Sequence, residues 1–303
     1  MAETVSLTYN LNCLHTPNKP MHPTSFSLSR SGLQALLNSL LARANQAPHS
    51  SSLPLYVREH FCGWLFPEAA RALSSLEGVE LDSTRAHFGR LTSSELELNL
   101  LLAQVATELR AAGCAPGWRN ELLDIWVAEP DPLVLTEIKT RIAEIERGVV
   151  RSLGLITRAV HLNGWSLDGH LWVARRALSK ATDPGMWDTL VGGLISSKEN
   201  IELALVRESD EEAGLDPQDI AQRTPLRTIA QIRRQVPKGY QVEEVLTCEC
   251  VLPAGVIPKN RDGEVMEIQL LHPETVFRML QESAFTVEAS IVITEDLLRR
   301  TSR

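Results

Sequence analysis

Val191–Leu215 reads VGGLISSKENIELALVRESDEEAGL. Ser196 followed three residues later by Glu199 has the spacing of a capping box, so a helix is expected to start there. Gly214 is placed to end the helix, and Pro217 stops its continuation. On a helical projection, Ile201, Ala204, Leu205 and Leu215 fall within about 60° of Glu208, which makes that side the buried one. Glu211 and Glu212 fall in the same arc, so an apolar stripe turns into a carboxylate stripe over the last turn and a half. Like charges three and four residues apart repel, burial makes each harder to ionise, and the helix C-terminus is the wrong end of the dipole for anions. A bound Mg²⁺ or Mn²⁺ reverses the sign of all three terms, because hard cations require carboxylate oxygens. The stretch therefore points to metal binding.

An ExxEE pattern alone is ordinarily a solvated helix face. Here Gly193, Glu199, Arg207, Glu208, Glu211, Glu212 and Gly214 stand in one fixed register before an aliphatic Leu215. Seven such identities arise by chance in on the order of one chain in a million. The register resembles the Nudix box. The resemblance implies that Glu208, Glu211 and Glu212 coordinate Mg²⁺ or Mn²⁺ with the main-chain carbonyl of Gly192, and that Arg207 and Glu199 brace the loop against the helix. In that reading Glu208, Glu211, Arg207 and Glu199 form the catalytic set. Ser209 departs from the pattern, standing where an aliphatic residue is usual, which affects packing behind the helix.

Outward from the box, LITRAVHLNGW and HLWVARRAL are β-rich runs joined by SLDG, a hairpin signal. MWDTLVGG reads as a short strand, and LRTIAQIRRQV with YQVEEVLTCECVL as a second hairpin around PKGY. EVMEIQLL is a further strand, and two helical patterns follow, separated near Phe285. Strands, helix, strands and helices in this order predict an α/β (α+β) sandwich with a mixed sheet over 151–303. Residues 1–150 read as a smaller α+β domain. Its first 25 or so residues are polar, and a helix follows over SRSGLQALLNSLLARANQ. LYVREHFCGWLF is extended, a helix begins at Pro67, and another covers Ser94–Ala112. ELLDIWVA is a strand, and a helix is expected from EPDP to about Arg147.

RAVHLNGW, LWVARRALSK, PGMWDTLVGGL and EEAGL together resemble a Nudix subfamily that includes the Nudix portion of fungal thiamine pyrophosphokinases and several plant Nudix proteins. FCGWLFPEAARAL and WRNELLDIWVA resemble the extra domain that precedes it there. That likeness implies hydrolysis of a thiamine-diphosphate-like compound, an oxo or oxy form, to its monophosphate. Arg175, Arg176 and Lys180 are the candidate cations for the diphosphate. Trp165, Trp172 and Trp187 are candidates for ring stacking or for core. Glu264 is a candidate further metal ligand or base, whereas Glu267, at odd spacing, faces the other side. Glu243 and Glu244 read as hairpin-surface charges, and His161 as a structural hydrogen bonder or substrate contact. RRALSK…DPGMW also resembles isopentenyl-diphosphate isomerase, but DTLVGGL lacks the cysteine and histidine expected after the tryptophan. A non-catalytic Nudix-fold binding or regulatory protein is the other alternative.

The bulk properties agree with a small anionic substrate bound through local cations. With 38 acidic and 30 basic residues among 303, the net charge of −8 argues against nucleic acid or an anionic membrane as partner. An apolar share of 44% is enough for real cores. No basic start precedes an apolar run, and no apolar stretch is long enough to span a bilayer. Five cysteines without CxxC spacing read as reduced thiols in a cytoplasmic protein. Cys248 and Cys250 read as small buried residues on one strand face. A homodimer is compatible with the chain.

Overall fold

The computed structural model describes residues 28–131, 138 and 140–301. The polar opening segment and Cys13 lie outside them. Helix α1 (Arg30–Arg43) is capped by Ser29, whose side chain accepts from the Gly32 amide. Strands β1 (Leu53–Val57) and β2 (His60–Leu65) form a hairpin, and α2 (Pro67–Leu73) starts on proline, whose missing N–H is not needed there. Strands β3 (Val79–Leu81) and β4 (Ala86–Phe88) follow, then α3 (Glu95–Ala111), with Ser94 as its N-cap. β1, β2, β3 and β4 make a four-stranded sheet in the order β2-β1-β4-β3.

Strand β5 (Leu122–Trp126) pairs with β6 (Arg141–Glu146), which corrects the helix expected up to Arg147. Part of that segment, 132–137 and 139, lies outside the described residues. The rest alternates Ala143 and Ile145 inward toward α3 and β5, a period of two that the charged residues between them masked. A single 3₁₀ turn, Arg147–Val149, leads onward.

The largest sheet has seven strands. They are β7 (Ile156–Trp165), β8 (Leu171–Arg176), β9 (Trp187–Thr189), β10 (Val191–Leu194), β11 (Arg227–Val236), β12 (Gly239–Val251) and β13 (Val265–Leu271). The path runs β11-β12-β7-β8-β13, with β10 on β7 and β9 on β8. β12 runs parallel to β7 over ten paired positions, and the other pairings are antiparallel, so the sheet is mixed. Helix α4 (Ile201–Ala213) covers one face, with Ala204, Leu205 and Leu215 packed among Val160, Leu162, Leu246, Cys248 and Cys250. Helices α5 (Pro273–Gln281) and α6 (Val287–Arg300) lie on the other, with Val245, Trp165 and Val173 beneath them. The result is an α/β/α sandwich.

Helix α1 buries Leu33, Leu37 and Leu40 in the α5–α6 core, whereas the core from Leu55 to Leu155 is separate. The chain before Val150 thus contributes to both cores. Among the described residues, no helix is long and apolar enough to cross a membrane. Cys62, Cys114, Cys248 and Cys250 are free and buried.

Candidate functional site

The acidic helix begins later than its sequence suggests. The Ser196 amide does donate to Glu199 (3.0 Å), but Lys198 has a positive φ of 61°, which breaks helical geometry at that point. Asn200 takes the N-cap instead, accepting from the Glu202 amide at 2.8 Å. The far end closes as expected: Gly214 is left-handed (φ 62°), and the Leu215 amide reaches back to the Ser209 carbonyl.

Glu208 and Glu212 are buried, at 7% and 4% exposure. Glu212 accepts a hydrogen bond from the Gly192 amide at 2.8 Å and lies 3.5 Å from Lys180 Nζ. A methyl group on Gly193 would coincide with the Glu208 carboxylate, so glycine is what lets this acid lie against β10. Glu211 stands at the edge of the arc and is half-exposed, a correction to its placement on the buried face. Ser209 is fully buried, and its hydroxyl has no partner.

Arg207 organises the loop before the helix. It donates to both Glu199 oxygens (2.8 and 2.9 Å) and to the Leu194 carbonyl, and shares Nη1 between Glu208 (2.7 Å) and Glu211 (3.2 Å). These partners raise its pKa, the bond to Glu199 foremost. Burial opposes ionisation of Glu199, but the Arg207 and Ser196 hydrogen bonds outweigh it and hold the carboxyl below its ordinary range. Burial raises Glu208 to about 6 against the pull of Arg207, with Glu211 adding repulsion. Burial raises Glu212 to about 8, against Lys180 and with repulsion from Glu208.

Gly192, Gly193 and Lys180, against which Glu208 and Glu212 lie, line a two-part cleft that the carboxylates themselves do not line. Its inner part, about 110 Å³, is lined by Gly192, Gly193, His161, Arg176, Lys180 and Glu243 among others. Its outer part, about 560 Å³, carries Arg119, Arg147, Arg151, Arg176, Lys180, Arg234 and Lys238 against one acid, Asp183. In a chain of net charge −8 this is a local reversal of sign.

Of the candidate phosphate cations, Arg176 and Lys180 line both parts. Arg176 pairs with Asp188 (2.9 Å) and donates to the Thr182 carbonyl. Lys180 bonds Glu264, which also meets Arg119 at 3.0 Å. Burial opposes charge on Glu264, but Lys180, Arg119 and Arg147 outweigh it and lower its pKa. Arg175 is carried elsewhere, because neighbours on a strand face opposite ways. It lies over Trp187, donates to the Gly185 carbonyl at 3.0 Å and meets Glu267 at 3.5 Å.

None of Trp165, Trp172 and Trp187 lines either part of the cleft. Trp165 is buried under α6, donating to Asp296 at 2.8 Å beneath the Arg300 guanidinium. Glu243 and Glu244 are not surface charges. β12 is covered on both faces, which buries Glu243 in the inner cleft, bonded to Thr157 (3.0 Å), and Glu244 against Arg158 (2.7 Å). His161 meets Thr189 through Nδ1 at 3.0 Å, while Nε2 is buried without a partner. Arg147, Arg151, Asp183, Asp188, Gln241 and Glu288 also line the inner cleft and carry no local signal in the sequence.

The donor set suits a hard divalent cation. Glu208, Glu211, Glu212 and Glu264 supply carboxylate oxygens, and two of them are buried at the expense of their ionisation. Among the described residues, no three acidic, histidine or cysteine side chains converge as a finished metal cage. Arg207 and Lys180 instead hold the oxygens apart as internal counter-charges.

The NUDIX domain family matches residues 158–290. Nudix hydrolase 20, chloroplastic, of Arabidopsis thaliana is 28% identical over 262 residues, 82% of this chain and 67% of that one. An isopentenyl-diphosphate Delta-isomerase of Citrobacter koseri is 30% identical over 129 residues, 43% of this chain and 69% of that one. A crystal structure from Deinococcus radiodurans aligns with 60% of this chain and 100% of its own, at 24% identity and a TM-score of 0.40. None of the four described cysteines lines the inner or outer cleft. Residues 158–290 form a NUDIX domain, and the chain is a pyrophosphohydrolase.

Proposed function

We propose that this chain hydrolyses a diphosphate linked to an organic moiety, with Mg²⁺ or Mn²⁺, and that the substrate is a thiamine-diphosphate-like compound, oxo or oxy in form, cleaved to its monophosphate. One observation carries the reading: two carboxylates are buried against Gly192-Gly193, beside a cleft whose outer wall carries seven cations against one acid. Glu208, Glu211, Glu212, Glu264 and the Gly192 carbonyl would hold the cation. When bound, it would neutralise phosphoryl oxygens and acidify the attacking water. Arg207 and Glu199 act as positioning residues that fix the loop bearing Leu194 against α4. Arg176 and Lys180 orient the diphosphate, and the acids already paired to them keep both side chains aimed at the cleft. The thiamine assignment rests on the resemblance of RAVHLNGW, LWVARRALSK and PGMWDTLVGGL to the fungal and plant subfamily.

The test is product release from thiamine diphosphate and its oxo and oxy forms, alongside ADP-ribose, NADH, nucleoside triphosphates and isopentenyl diphosphate, with Mg²⁺, Mn²⁺ or EDTA. Metal-dependent formation of a monophosphate, fastest with the thiamine forms, is the expected result. Metal-dependent cleavage of another compound in preference would overturn the substrate. Absence of release from every one would favour a binding or regulatory role.

A further inference from the structure

Almost every charge in the cleft is already committed. Asp188 is bonded to Arg176, Asp183 to Arg234, and Glu288 to Gln241 (2.6 Å). Glu243 is bonded to Thr157, Arg147 to Glu121 (2.7 Å), and Arg119 to Glu264. Arg151 is the exception. Its nearest carboxylate oxygen, on Glu243, is 3.8 Å from Nη2, beyond hydrogen-bond reach, and its Nη1 is buried with no partner. A guanidinium carries five donors and cannot shed its charge at ordinary pH, so leaving one of its nitrogens buried without a partner is unfavourable even though the side chain as a whole is 28% exposed. Arg151 lines both the inner and outer cleft.

The backbone holds it there. Arg151 follows the 3₁₀ turn, and its carbonyl accepts from the Tyr240 amide at 2.8 Å. The β11–β12 turn closes over the same segment, bringing Lys238 to the outer cleft, where its ammonium donates to the Gly113 carbonyl.

We propose that Arg151 seats a non-bridging phosphoryl oxygen of the substrate, with Lys238 supplying a second positive charge along the outer cleft. This rests on the reading of the cleft as a diphosphate site. It assigns to the junction between the first core and the seven-stranded sheet a direct part in binding substrate. A planar fork suits a phosphoryl group better than a point charge, so lysine is an incomplete substitute.

The probe is inorganic pyrophosphate, titrated calorimetrically into the full chain in EDTA. Arg151→Gln is expected to weaken binding roughly 10- to 100-fold, as expected for a hydrogen bond to a charged group, and Arg151→Lys to weaken it less. Because the guanidinium lacks close partners, the ligand-free Arg151→Gln chain is expected to melt no lower than the wild type. Affinities within about twofold of wild type, wild-type binding weaker than about 1 mM, or a ligand-free Arg151→Gln chain that melts several degrees lower would each overturn the proposal. The titration needs neither metal nor turnover. A chain inactive on every diphosphate that still loses pyrophosphate affinity in Arg151→Gln supports this site while refuting the hydrolase reading.

Discussion

Replacing Glu212 by Gln separates the electrostatic burden of the acidic helix from its chemistry. The amide oxygen of Gln can keep the hydrogen bond from Gly192, so the substitution removes charge with little change of shape. Burial raises the Glu212 carboxyl from 4.5 to about 8, Lys180 opposing and Glu208 adding to the rise. The folded chain therefore holds this proton more tightly than the unfolded chain. Below about pH 4.5 both states are protonated and the group has no effect on stability. As pH rises toward about 8 the unfolded state ionises first, so stability falls, and above about 8 the loss is complete. At about 1.4 kcal/mol per pH unit the ceiling is about 5 kcal/mol, and Glu208, raised to about 6, acts in the same direction by a smaller amount.

Urea unfolding in EDTA is the assay. Between about pH 5 and about pH 8.5 the wild type is expected to lose several kcal/mol that Glu212→Gln keeps. Saturating Mg²⁺ is expected to restore the wild type at the higher pH by about 3 kcal/mol when present at a hundred times its dissociation constant, and to do little for the variant. Parallel pH profiles for the two chains, or equal stabilisation of both by Mg²⁺, would refute the account of a buried acid awaiting a cation.

Glu211→Gln should lower turnover by more than about 100-fold, above the range for outer partners of a metal, with an unchanged circular dichroism spectrum because Glu211 is half-exposed. Gly193→Ala would force the Glu208 carboxylate off β10. It should cost about 1–3 kcal/mol in urea unfolding and most of the activity. Trp165→Phe removes the donor to Asp296, which keeps Arg300 and Asn163. A loss of about 1–3 kcal/mol is expected, with KM unchanged, since Trp165 is core; a raised KM would place it at the substrate.

The strands and helices that were legible are those whose pattern is local. Ser94 caps α3, Pro67 opens α2, and the apolar spacing of Leu33, Leu37 and Leu40 marks α1. β6 was missed because the charged residues along it mask its period of two; on the strand Arg141, Glu144 and Glu146 meet Asp124, Ser197 and the Arg119 amide. Those partners are 17, 53 and 27 residues away. β3 and β4, three residues each, are too short to show any period.

The same division runs through the site. Glu199, Arg207, Glu208 and Glu212 could be placed from sequence because one loop and one helix set their register. The electrostatics that made them conspicuous is the same electrostatics that raises two of their pKa values. The opposing wall has no such register. Glu243 reaches the cleft because β12 lies parallel to β7, pairing residues 86 apart, and Arg151 because the β11–β12 turn packs on the segment after the 3₁₀ turn. Each looks like an ordinary surface charge in sequence, and only the crossover that builds the mixed sheet makes it part of the site. Arg175 and Arg176 show the limit most sharply. They are adjacent in sequence and identical in chemistry, yet one lies over Trp187 outside the cleft and the other lines it, because a strand turns its neighbours to opposite faces. A motif can name the carboxylates that would hold a cation; what the cation and its substrate meet across the cleft is decided by strand pairing.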